Sequence, residues 1–115
     1  MHNYVQPETF INQYIDKVWG LLIQTFPFPE YLSGHSGAYS SAATVLTQMV
    51  GDNYKFVDSA EVPFGRPART YKSFYEASDA ASISRLYGGI HFMPSIENGK
   101  DQGRKIVKFI LSKLD

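Results

Sequence analysis

Hydrophobic positions repeat at helical spacing in four separate stretches of the chain. In the first stretch, apolar side chains recur at three- and four-residue steps over residues 8–23. Pro7 and Glu8 suit the first turn of a helix, because a proline loses no hydrogen bond there and an acid faces the positive end of the helix dipole. The pattern predicts an amphipathic helix over about residues 8–23.

The second stretch begins at Ser33 or Ser36, either of which can cap a helix, and it ends near Val50. Alanine and serine dominate the N-terminal half of its apolar stripe, so a neighbouring helix could approach closely there. Gly51 then ends the pattern. The preceding segment, residues 25–32, contains two prolines and is predicted to be a loop.

The third and fourth stretches lie in the C-terminal half. Ser73 and Glu76 have the spacing of a capping box, and a Gly-Gly pair gives a stop, so a helix is predicted over about residues 73–88. The last helix is predicted to start with Ser95 as its N-cap. Its expected inward face consists of small and apolar residues: Gly99, Gly103, Ile106, Phe109, Ile110 and Leu114.

The segment between the second and third helices, residues 54–70, shows no sustained period. It contains two prolines and a glycine, which predict a long surface loop. We find no convincing strand pattern in the chain. The predicted fold class is therefore all-α, a bundle of about four helices, and a length of 115 residues favours a single domain over residues 1–115.

Composition and charge exclude several classes of function. Basic and acidic residues are equal at 11 each, so no overall field recruits nucleic acid or an anionic membrane. The absence of cysteine excludes thiol catalysis and zinc-thiolate sites. The longest apolar run, residues 18–23, is far shorter than the roughly 20 residues that cross a bilayer. The N-terminus lacks the basic-then-apolar pattern of a signal peptide, so neither a signal nor a transmembrane segment is predicted.

Two segments carry candidate chemistry. Ser33, Gly34 and His35 stand at one predicted helix start, where backbone N–H groups bind anions. Arg85 and His91 stand across the end of the next helix and add a fixed cation and a second imidazole. Each residue alone has an ordinary structural explanation, such as capping or surface charge. No short spacing of the three histidines indicates a metal site made of side chains.

The two segments, taken in this order, resemble the second and third signatures of the superfamily of vanadium-dependent haloperoxidases and type 2 phosphatidic acid phosphatases, the class A acid phosphatases. The family patterns are Pro-Ser-Gly-His, and Ser-Arg separated by five residues from a His. Here they stand as residues 32–35, with Leu32 in place of Pro, and as residues 84–91. The resemblance covers most of the chain, is greatest to the soluble bacterial haloperoxidase-like branch, and implies the C-terminal portion of a larger helical bundle.

The resemblance also implies roles for individual residues. His91 would be the nucleophile that forms a phosphohistidine, or the residue that binds vanadate in a haloperoxidase. His35 would protonate the leaving group or assist peroxide binding. Ser33, the Gly34 amide and Arg85 would hold the oxygens of the anion. Vanadate is the implied cofactor of the haloperoxidase chemistry, and the implied substrates are a small phosphorylated molecule or a halide with peroxide.

The chain departs from the family pattern at several positions. The first family signature is a Lys followed, after six residues, by Arg-Pro. In the best alignment, Gln6 stands in the position of the arginine, and the lysine would precede the given sequence. Arg66 also precedes a proline, but Ser59 stands where the lysine should be. An aspartate often follows His91 four residues later in the family, and here Ser95 takes its place. Two of the three expected cations are therefore missing.

Two hypotheses follow. One is a phosphate- or vanadate-binding enzyme domain whose ancestral chemistry is phosphoester hydrolysis or halide oxidation, with activity impaired by the lost signature. The alternative is a non-catalytic helical binding or assembly module that retains the anion pocket. The sequence leaves open whether the chain turns over a substrate. In either case a partial bundle exposes small-residue helix faces, which predicts a homo-oligomer or a completing partner chain.

Overall fold

The computed structural model describes residues 5–21 and 23–114, and this part of the chain is mostly helical. The four helices are α1 Pro7–Tyr14, α2 Gly34–Val50, α3 Phe74–Tyr87 and α4 Met93–Leu114. A pair of short strands, β1 Phe56–Asp58 and β2 Arg69–Tyr71, lies between α2 and α3, with a 3-10 turn at Val62–Phe64. The predicted all-α bundle of about four helices is confirmed.

The first helix is shorter than predicted. α1 ends at Tyr14, whereas the apolar period continued to residue 23. Beyond α1, the carboxylate of Asp16 accepts the amide N–H of Val18, which closes a turn. The side chain of Val18 is 90% exposed, so its periodic apolar position has nothing to pack against, and helices in proteins depend on such packing. Residues 1–4 and 22, which the sequence interpretation included, lie outside the described residues.

The predicted surface loop over residues 54–70 contains a small antiparallel hairpin. Phe56 pairs with Tyr71 and Asp58 with Arg69 across the two strands. Each strand has three residues, too few for an alternating pattern to be recognised. The ring of Phe56 stacks on that of Phe74 with 5.1 Å between their centroids, which attaches the hairpin to the start of α3.

α2 lies beside both α3 and α4 and forms the centre of the bundle. It meets α4 through small residues: the hydroxyl of Ser40 donates to the Lys100 carbonyl at 2.9 Å, and that of Ser41 donates to the Gly103 carbonyl at 3.1 Å. These pairs advance together along both helices, so α2 and α4 run in the same direction. The close approach depends on Gly103, where a Cβ would overlap the Gly37 carbonyl.

Only two of the six residues predicted for the inward face of α4 are buried. Gly99 and Gly103 are buried, and Val107 is buried as well. Four apolar residues that were expected to face inward are instead 47–74% exposed: Ile106, Phe109, Ile110 and Leu114. The described apolar core is correspondingly small and consists of Ala43, Ile90, Ile96 and Val107. Among the helices of the described part, none has both the length and the apolar character needed to cross a membrane.

Candidate active site

The end of α3 places Arg85 and His91 next to each other. The chain turns back after the helix, and the carbonyl of Arg85 accepts the amide N–H groups of Ile90 at 3.0 Å and His91 at 3.3 Å. Gly89 occupies the turn with φ of 69°, a conformation that favours glycine. The five residues between Arg85 and His91 therefore form the turn at the end of α3 that brings the His91 amide back to the Arg85 carbonyl.

The ring of His91 is buried, and its orientation is fixed. Its Nδ1 lies 2.6 Å from the backbone carbonyl oxygen of Glu30. A carbonyl can only accept, so Nδ1 carries the proton of the neutral ring and Nε2 carries the lone pair. Nε2 is buried and has no hydrogen-bond partner among the described residues. The Phe28 ring stacks on the imidazole at 5.8 Å.

The electrostatic surroundings keep this ring neutral. Burial lowers the pKa of His91, the backbone and carboxylate of Glu30 oppose the shift, and the charges of Arg85 and His35 add to it. The net pKa lies below the usual value for histidine. At neutral pH the ring is therefore uncharged, and the Nε2 lone pair is available to a ligand.

Glu30 is a site residue that the sequence interpretation missed. Its carbonyl also accepts the hydroxyl of Ser95 at 2.9 Å, and its carboxylate Oε1 accepts the amide N–H of Phe92 at 2.8 Å. The expected role of Ser95 as N-cap is therefore wrong, because α4 already begins at Met93 and Ser95 lies buried inside it. The only sequence signal for Glu30 was an acidic residue in an aromatic and proline-rich loop.

The start of α2 is capped as expected. The hydroxyl of Ser33 accepts the amide N–H of Ser36 and lies 2.8 Å from the Ser36 hydroxyl. Ser33 is fully buried, so its side chain serves the cap and does not line the open cavity. Gly34 and His35 stand in the first turn, where backbone N–H groups lack acceptors within the helix. No acidic side chain lies in that turn.

A cavity of about 470 Å³ brings Gly34, His35 and His91 together. The Nε and one Nη nitrogen of Arg85 are buried and unpartnered in the part of the chain that the structure describes. The charge of Arg85 affects both imidazoles. It adds to the lowering of the His91 pKa that burial causes. The pKa of His35 is also lowered, first by partial burial of the ring and second by the charge of Arg85. Of the five residues predicted for the site, Gly34, His35 and His91 line the cavity, whereas Ser33 and Arg85 do not belong to its lining.

These groups fit an oxyanion such as vanadate. His91 Nε2 offers one nitrogen ligand, the unpartnered nitrogens of Arg85 offer charged donors, and the start of α2 offers a positive dipole end. All three belong to segments held by backbone hydrogen bonds. Within the described residues, His91 Nε2 therefore has no existing hydrogen bond that a ligand would first have to break.

Gln6 and Arg66, the two residues considered in place of the first-signature arginine, make other contacts in the structure. The side-chain amide of Gln6 donates to the carbonyls of Phe26 at 3.0 Å and Phe28 at 2.9 Å. Gln6 thus supports the loop that carries the Phe28 ring against His91. Arg66 lies in a separate groove beside the hairpin, lined also by the carboxylates of Asp58 and Glu61.

Comparison with known proteins identifies the family of the chain. The family model described as the VCPO second helical-bundle domain matches residues 1–115. The crystal structure described as that of the first bacterial vanadium-dependent iodoperoxidase is 53% identical, with a TM-score of 0.89, over 96% of this chain and 27% of that one.

More distant structures share the fold. The holo form of a bacterial vanadium-dependent chloroperoxidase is 16% identical, with a TM-score of 0.65, over 81% of this chain and 22% of that one. Its apo form is 17% identical, with a TM-score of 0.62, over 78% and 22% of the two chains. No curated protein matches the chain. The chain thus spans about a quarter of the length of these solved relatives, and it belongs to the family of the VCPO second helical-bundle domain, in the vanadium haloperoxidase superfamily.

Proposed function

We propose that this chain provides the vanadate-binding part of a haloperoxidase active site. The observation that carries the proposal is that, among the described residues, His91 Nε2 and two side-chain nitrogens of Arg85 are buried without a hydrogen-bond partner, on two residues joined by the hydrogen bond of the His91 amide to the Arg85 carbonyl. The similarity to a structure described as an iodoperoxidase favours halide oxidation over phosphoester hydrolysis, and iodide is the halide we propose to test first.

Each residue would have a distinct role. His91 would bind vanadate through Nε2, and Arg85 would offset the negative charge of the anion with two donors. The first-turn amides of α2, including that of Gly34, would donate to the remaining oxygens. His35 would hold or release a proton for the oxygen of the incoming peroxide. Vanadate, when bound, supplies the two-electron oxidation of halide by hydrogen peroxide.

We expect binding to be stronger than turnover in this chain alone. The arginine of the first family signature is replaced here by Gln6, and a charge-assisted hydrogen bond is worth about 1.5–3 kcal/mol. A completing helical partner, from the remainder of a longer protein or from a second chain, would be needed for full activity. The competing function is a non-catalytic module that keeps the anion pocket, and the use of Gln6 as a loop support favours it.

Thermal unfolding in orthovanadate tests the proposal. A ligand that binds only the folded state raises stability, by about 2.7 kcal/mol at a concentration 100 times its dissociation constant. We expect the parent to gain stability and Arg85→Lys to gain little, because lysine cannot form two parallel hydrogen bonds. Arg69→Lys on the exposed hairpin is the matched control and should respond like the parent. Inorganic phosphate in place of vanadate measures the preference between the two anions.

A second measurement separates the two functions. Formation of triiodide from iodide and hydrogen peroxide, with vanadate present, would support the haloperoxidase function, and it should be lost in His91→Ala. Binding of vanadate with no triiodide would support the non-catalytic module. A thermal midpoint that does not change at millimolar vanadate would refute the anion pocket on which both functions depend.

A further inference from the structure

Glu30 is buried beside His91, and its carboxylate and its backbone carbonyl have separate partners. We propose that Glu30 is a positioning residue that fixes the ring and the tautomer of His91. The inference rests on the proposed function of His91 as the oxyanion ligand, because a positioned Nε2 matters only to a group that binds it. Glu30 lies in the loop before α2 and belongs to neither signature.

The backbone of Glu30 holds the imidazole directly. Its carbonyl oxygen accepts His91 Nδ1–H at 2.6 Å and the Ser95 hydroxyl at 2.9 Å. Two donors on one oxygen fix the direction of the carbonyl as well as the ring. The proton is thereby kept on Nδ1, and the lone pair of Nε2 is kept for the cavity. Such supporting hydrogen bonds set the ring orientation and tautomer of ligating histidines in general.

The side chain of Glu30 holds the backbone that follows His91. Its Oε1 accepts the Phe92 amide N–H at 2.8 Å and lies 3.7 Å from His91 Nδ1. The position of His91 is therefore fixed at its ring, at its own amide on the Arg85 carbonyl, and at the next residue in the chain. Residues 30 and 92 are 62 positions apart, so this carboxylate connects the loop before α2 to the start of α4.

The cost of burying this carboxylate argues for a role beyond filling space. Glu30 Oε2 has no hydrogen-bond partner within the described residues, and a buried carboxylate loses hydration that one hydrogen bond does not replace. An apolar side chain of similar volume would fill the same space at a lower cost. An apolar side chain could not accept a hydrogen bond from the Phe92 amide, so it could not hold the backbone beside His91.

Two substitutions of Glu30 distinguish the effect of its hydrogen-bond acceptor from that of its charge. Glu30→Met keeps the length and volume but removes the acceptor, whereas Glu30→Gln keeps an acceptor oxygen and removes the charge. The readout is the long-range ¹H–¹⁵N correlation spectrum of the histidine rings at neutral pH, with the His91 signals assigned by their loss in His91→Gln. This spectrum distinguishes the Nδ1–H tautomer from the Nε2–H tautomer and needs no bound anion.

We expect a single Nδ1–H tautomer of His91 in the parent and in Glu30→Gln, and a second tautomer in Glu30→Met. Vanadate affinity from thermal shifts should fall about 10- to 100-fold in Glu30→Met, as for other residues that support a ligand, and stay near the parent value in Glu30→Gln. Glu97→Gln, on the exposed side of α4, is the control and should change neither readout.

The results distinguish this inference from the proposed function. A parent with the Nε2–H tautomer, or a Glu30→Met variant identical to the parent, overturns the positioning role even where vanadate binds. A parent that does not bind vanadate but shows the expected tautomers supports the positioning role and refutes the proposed function. If Glu30→Met does not fold, the other two spectra decide, because mixed tautomers in the parent or in Glu30→Gln overturn the inference.

Discussion

At the scale of single residues, the neutrality of His91 is the property on which the proposed anion binding depends. Burial and the nearby cation of Arg85 keep its pKa low, while Glu30 opposes that shift and limits it. A protonated ring would have no lone pair for a ligand on Nε2. The same surroundings make the folded protein sensitive to acid, because the charged ring is disfavoured only in the folded state.

The lowered pKa of His91 predicts a loss of stability as the pH falls. The unfolded chain takes up the proton near its ordinary value of 6.5, and the folded chain takes it up at a lower pH. The contribution of His91 to stability is therefore fully present above pH 6.5 and decreases as the pH falls towards the folded pKa. Thermal midpoints measured across this range should decrease less in His91→Gln than in the parent. Carboxylates titrate in both proteins and cancel in the comparison, so equal slopes would contradict the assignment.

His35, Arg85 and His91 could be identified from the sequence because two short motifs contain them. In the structure, His35 and His91 line one cavity, and the charge of Arg85 lowers the pKa of both. The sequence could not identify Glu30, whose role arises from packing between segments 61 residues apart. It also misassigned Ser95, since a serine after a proline has the same local pattern whether it caps a helix or lies inside one. Local spacing predicts partners on one element, whereas partners on different elements depend on the fold.

At the scale of elements, the contact between α2 and α4 holds the site together. The Ser33 amide donates to the Ser95 carbonyl at 3.3 Å, next to the point where Ser95 binds Glu30. Further along, Ser40 and Gly103 continue the same close contact. The distance between these helices therefore sets the position of the α2 start relative to His91.

Gly103→Ala tests this contact. The added Cβ would overlap the backbone carbonyl of Gly37 and the hydroxyl of Ser40, and a backbone atom cannot move aside as a flexible side chain can. We expect a loss of about 1–3 kcal/mol of unfolding free energy, the usual cost of overpacking, together with weaker vanadate binding. Gly20→Ala, where a Cβ meets nothing within 4 Å, is the control. Denaturant unfolding measures both, and equal stability of the two variants would refute the close contact.

The bounds of α2 and α3 were predictable from the sequence, whereas the length of α1 and the start of α4 were not. Ser33 and Ser73 cap α2 and α3, as their spacing indicated. The extent of α1 was not predictable from its period, because an apolar stripe forms a helix only where another surface covers it. The hairpin was missed for a related reason, since its strands are held by a few aromatic contacts rather than by a long alternating pattern.

At the scale of the whole molecule, the chain exposes more surface than a compact protein of its mass. Its accessible area is 8166 Å², whereas a compact protein of 13.0 kDa exposes about 6,300 Å². Its extents of 51 × 40 × 18 Å describe a slab rather than a sphere. The excess is comparable to the area that one partner buries in a large permanent interface. Large apolar side chains are also exposed on α4, apart from the small-residue faces on which the sequence-based expectation of association rested.

We therefore expect the isolated chain to self-associate through the exposed apolar end of α4. Phe109 is 65% and Ile110 50% exposed, so burying the rest of each side chain gives part of the about 1.5–3 kcal/mol that full burial provides. The double variant Phe109→Lys and Ile110→Lys should shift the population towards monomer in sedimentation velocity. The control variant, Asp52→Lys and Asn53→Lys, places two lysines in the exposed turn after α2 and should associate like the parent. A parent that stays a 13.0-kDa monomer at every concentration and binds no hydrophobic dye would show that this surface needs no partner.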